Sequence, residues 1–253
     1  MKRIITISLL IIFAINSFAE SNNNVELYKK ANTLYTNGKY EDAISLYKKI
    51  VKSGEIAPEL YYNMGNAYYR SNNFTEAVYY YEKAKMLAPG DKDIEANIKM
   101  VNLQIFDKIK PMPEFFVSRI TRNIIRSQSS GFWGGFSIVA FILFLSAGLF
   151  YLFSKIRTLK IVSFIFGITL FVFSVTTFIF AKQQNYYQTS QKTAIVFSPS
   201  VSVKSEPGDG AKELFVIHEG LKVEIQKTSN DWCEIRLADG KEGWLRKNDM
   251  KVL

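Results

Sequence analysis

The chain has 253 residues, of which 48% are hydrophobic and 22% charged, with a formal net charge of +9. This length leaves room for more than one compact unit. His218 and Cys233 are the only residues of their types, which excludes a cluster of His and Cys metal ligands, a network of catalytic His and Cys, and an internal disulfide. No glycine-rich phosphate loop occurs, so we expect neither an enzyme nor a bound metal or cofactor.

The N-terminus has the features of a secretory signal peptide. Lys2 and Arg3 precede a short apolar run at 4–15, and Ser17-Phe18-Ala19 is a small-x-small cleavage pattern. We therefore predict a signal peptide at residues 1–19, cut after Ala19. An uncleaved short anchor is the alternative, and in either case the segment that follows is exported.

A 34-residue period follows the signal. Ala43 and Ala77 lie 34 residues apart, and so do Tyr47 and Tyr81, which is the spacing of tetratricopeptide repeats. The signature in the second repeat is nearly complete, with Tyr61, Met64, Gly65, Tyr68, Ala77, Tyr81, Ala84 and Pro89. The resemblance predicts an all-α tetratricopeptide solenoid at 20–110, with repeats at 24–57 and 58–91 and a capping helix at 93–108 over the open apolar end.

The leading helices of both repeats carry the same side chains at equivalent positions. Asn amides can pair with an extended peptide backbone, and Tyr offers rigid amphipathic contact area. We therefore predict a protein-binding surface, called here the Tyr–Asn strip, formed by Tyr28, Asn32, Tyr35, Tyr62, Asn63, Asn66, Tyr69 and Asn97. The alternative is that the tyrosines pack between helices and the asparagines are solvated. A clamp for a terminal carboxylate is disfavoured, because Tyr28, Asp93 and Asn97 stand where its basic residues would be.

Two long uncharged segments predict a two-helix transmembrane hairpin. No charged residue lies between Arg126 and Lys155 or between Lys160 and Lys182, and about 20 apolar residues cross a bilayer as a helix. We predict transmembrane helices at 132–153 and 161–181. The loop at 154–160 carries three basic residues and is expected in the cytoplasm. The protein would then be a multi-pass inner-membrane protein with both soluble domains in the periplasm.

The segment at 111–131 is expected to be a basic amphipathic juxtamembrane helix. Arg119, Arg122 and Arg126 alternate there with Phe and Ile residues, a pattern that favours the membrane surface. Packing of this helix on the solenoid is the alternative. Most of the excess positive charge lies between 111 and 192, and both soluble parts are nearly neutral. Nucleic acid is therefore not an expected partner.

A polar tether at 182–192 leads to short alternating strands separated by turn residues, which predict a small all-β barrel at 193–253. Trp232 on one strand and Gly243-Trp244 on the next resemble bacterial SH3-like domains. The resemblance implies that these three residues serve the core or a binding surface, with Gly243 allowing close strand approach and Trp244 capping the core. It also implies cell-wall peptides or partner proteins as ligands, although such barrels also occur as plain structural modules.

The predicted fold class is thus multi-domain: solenoid, hairpin and barrel. This order, together with residues 194–200 and 214–220, resembles the BatE family of aerotolerance-operon proteins. The resemblance implies an inner-membrane scaffold that works with von Willebrand-type Bat proteins, and indirectly a MoxR-type ATPase, in oxidative-stress resistance. The alternative is an envelope sensor or anchor that binds peptidoglycan through the SH3-like domain.

Overall fold

The computed structural model describes residues 23–113, 115–189 and 192–253. The predicted signal peptide at 1–19 lies outside the described residues. The chain divides into two compact units, the first comprising residues up to Ala84 with Ile94–Phe106, and the second Lys85–Asp93 with Asp107–Leu253. An N-terminal helical repeat region, two apolar helices and a C-terminal antiparallel sheet confirm the predicted fold class.

The repeat region consists of five helices. They are α1 (23–36), α2 (Tyr40–Lys52), α3 (Pro58–Arg70), α4 (Phe74–Leu87) and α5 (Lys92–Asn102). Gly38 and Asn72 make the turns inside the two repeats with φ of 77° and 60°, a left-handed conformation that these two residue types tolerate best. The predicted capping helix forms as α5 but ends at Asn102 rather than at 108, and residues 107–113 are not helical.

Small residues set the spacing between the helices of each repeat. Ala31, Ala43 and Ala77 are completely buried. A Cβ placed on Gly65 would lie 2.5 Å from Cδ1 of Tyr81, whose ring is itself buried. The close approach of α3 and α4 therefore depends on the absence of a side chain at Gly65.

The second unit contains α6 (Phe116–Arg126) and a hairpin of two apolar helices, α7 (Ser130–Phe153) and α8 (Arg157–Thr189). Both helices of the hairpin are long and apolar enough to cross a membrane, with mean hydropathy of 2.4 and 2.3. Where they meet, Ser137 Oγ donates to the Ser174 carbonyl and Ser174 Oγ donates to the Ser137 carbonyl, each at 2.9 Å. These reciprocal bonds satisfy both hydroxyls within the apolar interface.

The second apolar helix extends beyond its predicted end. The sequence predicts that this helix ends at 181 and that a tether occupies 182–192, but α8 continues to Thr189. The reason is local, because the sequence from Lys182 to Thr189 contains no Gly or Pro and its Lys and Gln residues favour helix. Gln184 in this extension is buried.

The barrel is a single antiparallel sheet of seven strands in the order β3-β2-β6-β5-β4-β1-β7. The strands are β1 (Thr193–Val196), β2 (Ser200–Lys204), β3 (Glu213–His218), β4 (Lys222–Ser229), β5 (Trp232–Arg236), β6 (Glu242–Arg246) and β7 (Met250–Val252). Its core includes Ile235, Leu245 and Cys233, which is a free, buried thiol. The cysteine therefore packs in the core of the barrel.

Candidate functional site

The first half of the Tyr–Asn strip is a hydrogen-bonded cluster. Tyr47 Oη donates to Asn32 Oδ1 at 2.5 Å, and Asn63 Nδ2 donates to Tyr28 Oη at 2.7 Å and to Asn32 Oδ1 at 3.3 Å. The Tyr28 and Tyr47 rings pack with their centroids 6.0 Å apart. Side chains from three consecutive helices, α1, α2 and α3, thus hold the Asn32 amide in one orientation.

The second half repeats this cluster one repeat later. Tyr81 Oη donates to Asn66 Oδ1 at 2.7 Å, and Asn97 Nδ2 donates to Tyr62 Oη at 3.1 Å and to Asn66 Oδ1 at 2.9 Å. The ring centroids of Tyr62 and Tyr81 are 5.9 Å apart. Each of these four residues lies 34 positions after its counterpart. The sequence period is therefore also a period of side-chain hydrogen bonding.

The hydrogen bonds within the two clusters determine which polar groups of the Tyr–Asn strip are available to a ligand. The oxygens of Asn32 and Asn66 each accept two internal bonds, whereas the Nδ2 group of neither residue makes a hydrogen bond within the described residues. Both side chains are half-buried. The oxygens of the two asparagines are therefore occupied by internal hydrogen bonds, whereas their Nδ2 groups are not. The strip presents these two oriented N–H donor groups one repeat apart.

Tyr35 and Tyr69 lie outside the clusters. Tyr35 packs on Tyr40 and Tyr69 packs on Phe74, each with ring centroids 5.5 Å apart. Burial raises the pKa of Tyr35, while the guanidinium of Arg70 lowers it in part. Both rings remain half-buried and contribute aromatic area at the end of their helices.

The sequence prediction omitted Tyr47 and Tyr81 from the strip, since both match signature positions that fill the helix groove. Their hydroxyls nevertheless orient the two asparagines. Burial raises the pKa of each tyrosine, and a neighbouring tyrosine raises it further. Both hydroxyls therefore remain protonated donors at neutral pH. The signal that could have identified them is that Tyr47 and Tyr81 repeat with the same spacing as the Tyr and Asn residues of the strip.

The barrel residues that the sequence singled out divide between its two faces. Gly243 is buried, and a Cβ there would lie 2.5 Å from Val203 Cγ1, so it allows the close strand approach that we expected. Trp244 does not join the core as expected, because it alternates with the buried Gly243 and Leu245 and thus faces outward. Trp232 is also half-buried, with the Arg246 guanidinium 5.2 Å from its ring centre.

Two family matches agree with this architecture. Residues 28–92 match the family described as Tetratricopeptide repeat, and residues 199–251 match the family described as Bacterial SH3 domain. No curated protein matches the chain. The protein therefore carries a tetratricopeptide repeat region and a bacterial SH3 domain, while its resemblance to the BatE family remains an inference from the residues. Among the described residues, no group of three or more His, Cys, Asp or Glu is placed to hold a metal ion.

Proposed function

We propose that this chain is a non-catalytic scaffold of the bacterial inner membrane, whose tetratricopeptide unit and SH3-like domain bind partner proteins. The observation that carries the proposal is the duplicated cluster, which leaves Nδ2 of Asn32 and Asn66 as oriented donors beside tyrosine rings. An extended peptide offers a carbonyl acceptor at every residue. Because the donors are held before binding, little side-chain entropy is lost on association.

The membrane part of the proposal rests on α6, α7 and α8. The hairpin exposes apolar side chains over most of its surface. In α6, Val117, Ile120 and Ile124 form an exposed apolar stripe, and Phe116 beside it is also exposed, with the Arg119 guanidinium 5.8 Å from its ring centre. Exposed apolar side chains combined with arginines suit the membrane surface. The basic loop at 154–160 would face the cytoplasm, and both soluble domains the periplasm.

As the finer form of the proposal, the partners are von Willebrand-type Bat proteins and, indirectly, a MoxR-type ATPase, in a complex that supports aerotolerance or oxidative-stress resistance. This form rests on the order of the domains and on the segments at 194–200 and 214–220. Genes for a von Willebrand-type protein and a MoxR-type ATPase next to this one would support it, and their absence would argue against it.

The decisive variant is Asn32→Asp/Asn66→Asp. It keeps the oxygens that accept from Tyr47 and Tyr81 but removes the two Nδ2 donor groups. The internal hydrogen bonds of the clusters are therefore retained, while the strip loses its donors to a ligand. We expect tagged full-length protein in native membranes to bind its partner about thirtyfold more weakly, since the two lost hydrogen bonds cost about 1 kcal/mol each.

The matched control is Asn73→Asp. Asn73 Oδ1 accepts from the Glu76 backbone N–H at the start of α4, where Asp is an equally good cap. Circular dichroism should show equal helicity for both proteins. If Asn32→Asp/Asn66→Asp recovers as much partner as Asn73→Asp, the strip is not the binding surface.

A second candidate function is attachment to peptidoglycan through the barrel, which is favoured by the half-buried Trp232 and Trp244 on one outer face. Tryptophan combines a large apolar area with a polar N–H, which suits a binding surface. Detergent-solubilised full-length protein should then sediment with purified sacculi, and Trp232→Ala/Trp244→Ala should not. If the unaltered protein stays in the supernatant, this alternative fails.

A further inference from the structure

The chain between α5 and α6 lies against the barrel in the manner of a bound peptide. Asp107 Oδ2 accepts from the backbone N–H of His218 at 2.6 Å, and Asp107 Oδ1 lies 3.1 Å from His218 Nδ1. The Asp107 side chain is only 15% exposed. One carboxylate thus contacts both the backbone and the side chain at the end of β3.

The contact continues for five more residues. Ile109 packs against the buried core of the barrel, and the Met112 backbone N–H donates to the Ala238 carbonyl at 3.0 Å. The Met112 side chain lies against Gly240, where a Cβ would be 2.8 Å from Met112 Sδ. The segment therefore crosses from the end of β3 to the turn between β5 and β6.

The segment has the conformation and patterning of a peptide ligand. Asp107 and Ile109 face the barrel, whereas Lys108 and Lys110 between and after them are exposed, as expected for an extended chain with alternating side chains. Pro111 and Pro113 cannot donate backbone hydrogen bonds and disfavour the helical conformation in the residue before them, so this segment does not form a helix.

The barrel provides the complementary surface. Among the described strands, β3 ends the strand order and pairs only with β2. Its outer edge therefore presents backbone groups that no described strand satisfies. Addition of an extended peptide to such an edge is a common mode of recognition. Here the His218 N–H on that edge is satisfied by a carboxylate rather than by a strand carbonyl.

We propose that the surface between His218 and the turn at Ala238–Gly240 is a peptide-binding site of the barrel, occupied in this chain by its own residues 107–113. The site takes an extended peptide with a carboxylate, an aliphatic side chain two residues later and a proline-restricted backbone after it. A partner that carries this pattern must displace the chain's own segment. The proposal rests on contacts within the second unit and is independent of the Tyr–Asn strip.

The first experiment measures residue-resolved amide hydrogen exchange at His218 in the full-length protein in detergent micelles. Asp107→Ala and Asp107→Ala/Ile109→Ser should both release the segment. We expect exchange of the His218 amide to become at least about tenfold faster, because its acceptor is lost. Lys110→Ala, which changes an exposed side chain of the same segment, should leave the rate unchanged.

The amide of Ile235 in the barrel core reports whether the barrel stays folded, and its protection should not change. If Asp107→Ala/Ile109→Ser also unfolds the barrel, Asp107→Ala supplies the measurement, since it removes the acceptor and changes a single side chain. Unchanged exchange at His218 in a folded variant would overturn the proposal.

The second experiment adds a synthetic peptide with the sequence of residues 106–113 to Asp107→Ala/Ile109→Ser, or to Asp107→Ala if only that variant folds. The peptide should restore slow exchange at His218. The unaltered chain should bind it far more weakly, because its own segment competes at an effective concentration of about 1 mM. A control peptide with Asn for Asp107 and Ser for Ile109 should have no effect.

If the released chain fails to bind the peptide, the segment is a structural cover and the site assignment is wrong. Asn32→Asp/Asn66→Asp should not alter His218 exchange. Failure of partner capture by the Tyr–Asn strip and failure of peptide binding by the barrel are therefore separate outcomes.

Discussion

At the scale of residues, polar side chains order the interior of the repeat unit. Asn32 and Asn66 are half-buried, and the oxygen of each receives one tyrosine hydroxyl and one asparagine amide. An amide oxygen buried without a donor would cost free energy, whereas one that accepts two hydrogen bonds adds specificity to the packing. The same bonds that stabilise the helices therefore also orient the donors of the strip.

Tyr81→Phe tests this coupling. The ring and its packing remain, but Asn66 Oδ1 loses one of its two donors, so we expect the free energy of unfolding to fall by about 1 kcal/mol. Urea denaturation followed by circular dichroism measures the change. Tyr40→Phe is the matched control, because the Tyr40 hydroxyl makes no hydrogen bond within the described residues. Equal midpoints for the two variants would contradict the prediction.

The buried tyrosines also predict how stability depends on pH. Burial raises the pKa of Tyr47, Tyr80 and Tyr81 above its unfolded value of about 10. A raised pKa in the folded state means that stability is complete below about pH 10 and falls as the pH rises above it. Urea midpoints of the helical transition between pH 8 and pH 11 should show this loss. The barrel at 193–253 contains no tyrosine and serves as the internal reference, so equal losses in both would argue against the assignment.

At the scale of elements, the apolar hairpin is held by small and polar residues where its helices meet. Ser137, Ala140 and Ala147 are the buried residues of α7, and Ser174 and Thr177 are buried on α8. Small side chains let helix backbones approach closely where lipid and protein are equally apolar. The pairing of α7 and α8 therefore depends on shape rather than on hydrophobicity.

Ser137→Leu tests this dependence on shape. The larger side chain should force the helices apart and destabilise the hairpin by about 1–3 kcal/mol, even though it is more apolar. Thermal unfolding in detergent micelles measures the loss. Thr176→Leu makes a comparable change on the exposed side of α8 and should be nearly neutral. The shape argument fails if Ser137→Leu is as stable as Thr176→Leu.

At the scale of the whole molecule, the proposed topology makes a direct prediction about labelling. In bacterial spheroplasts a membrane-impermeant maleimide should label Lys247→Cys in the barrel, because that residue is exposed and would lie in the periplasm. Lys155→Cys in the loop should be labelled only after lysis, and Cys233 is buried and should stay unlabelled. Labelling of Lys155→Cys in intact spheroplasts would contradict the orientation.

Much of the fold follows from periodic features of the sequence. The 34-residue period, the two uncharged segments and the short alternating strands each depend on local spacing, and each is confirmed as a fold element. The face of the sheet on which Trp244 lies does not follow from the sequence, because alternation along a strand does not indicate which face packs against the core. The extent of α8 was missed because polar residues at its end favour helix as readily as tether.

The sequence by itself determined the repeat architecture, the apolar hairpin and the barrel, because hydrophobic periodicity and residue size act over neighbouring positions. Only the tertiary structure decided the pairing of Asn63 with Tyr28, of Ser137 with Ser174 and of Asp107 with His218. These residues are separated by 35, 37 and 111 positions. Hydrogen bonds between residues so distant in the chain depend on how packed elements meet, and no local pattern records that geometry.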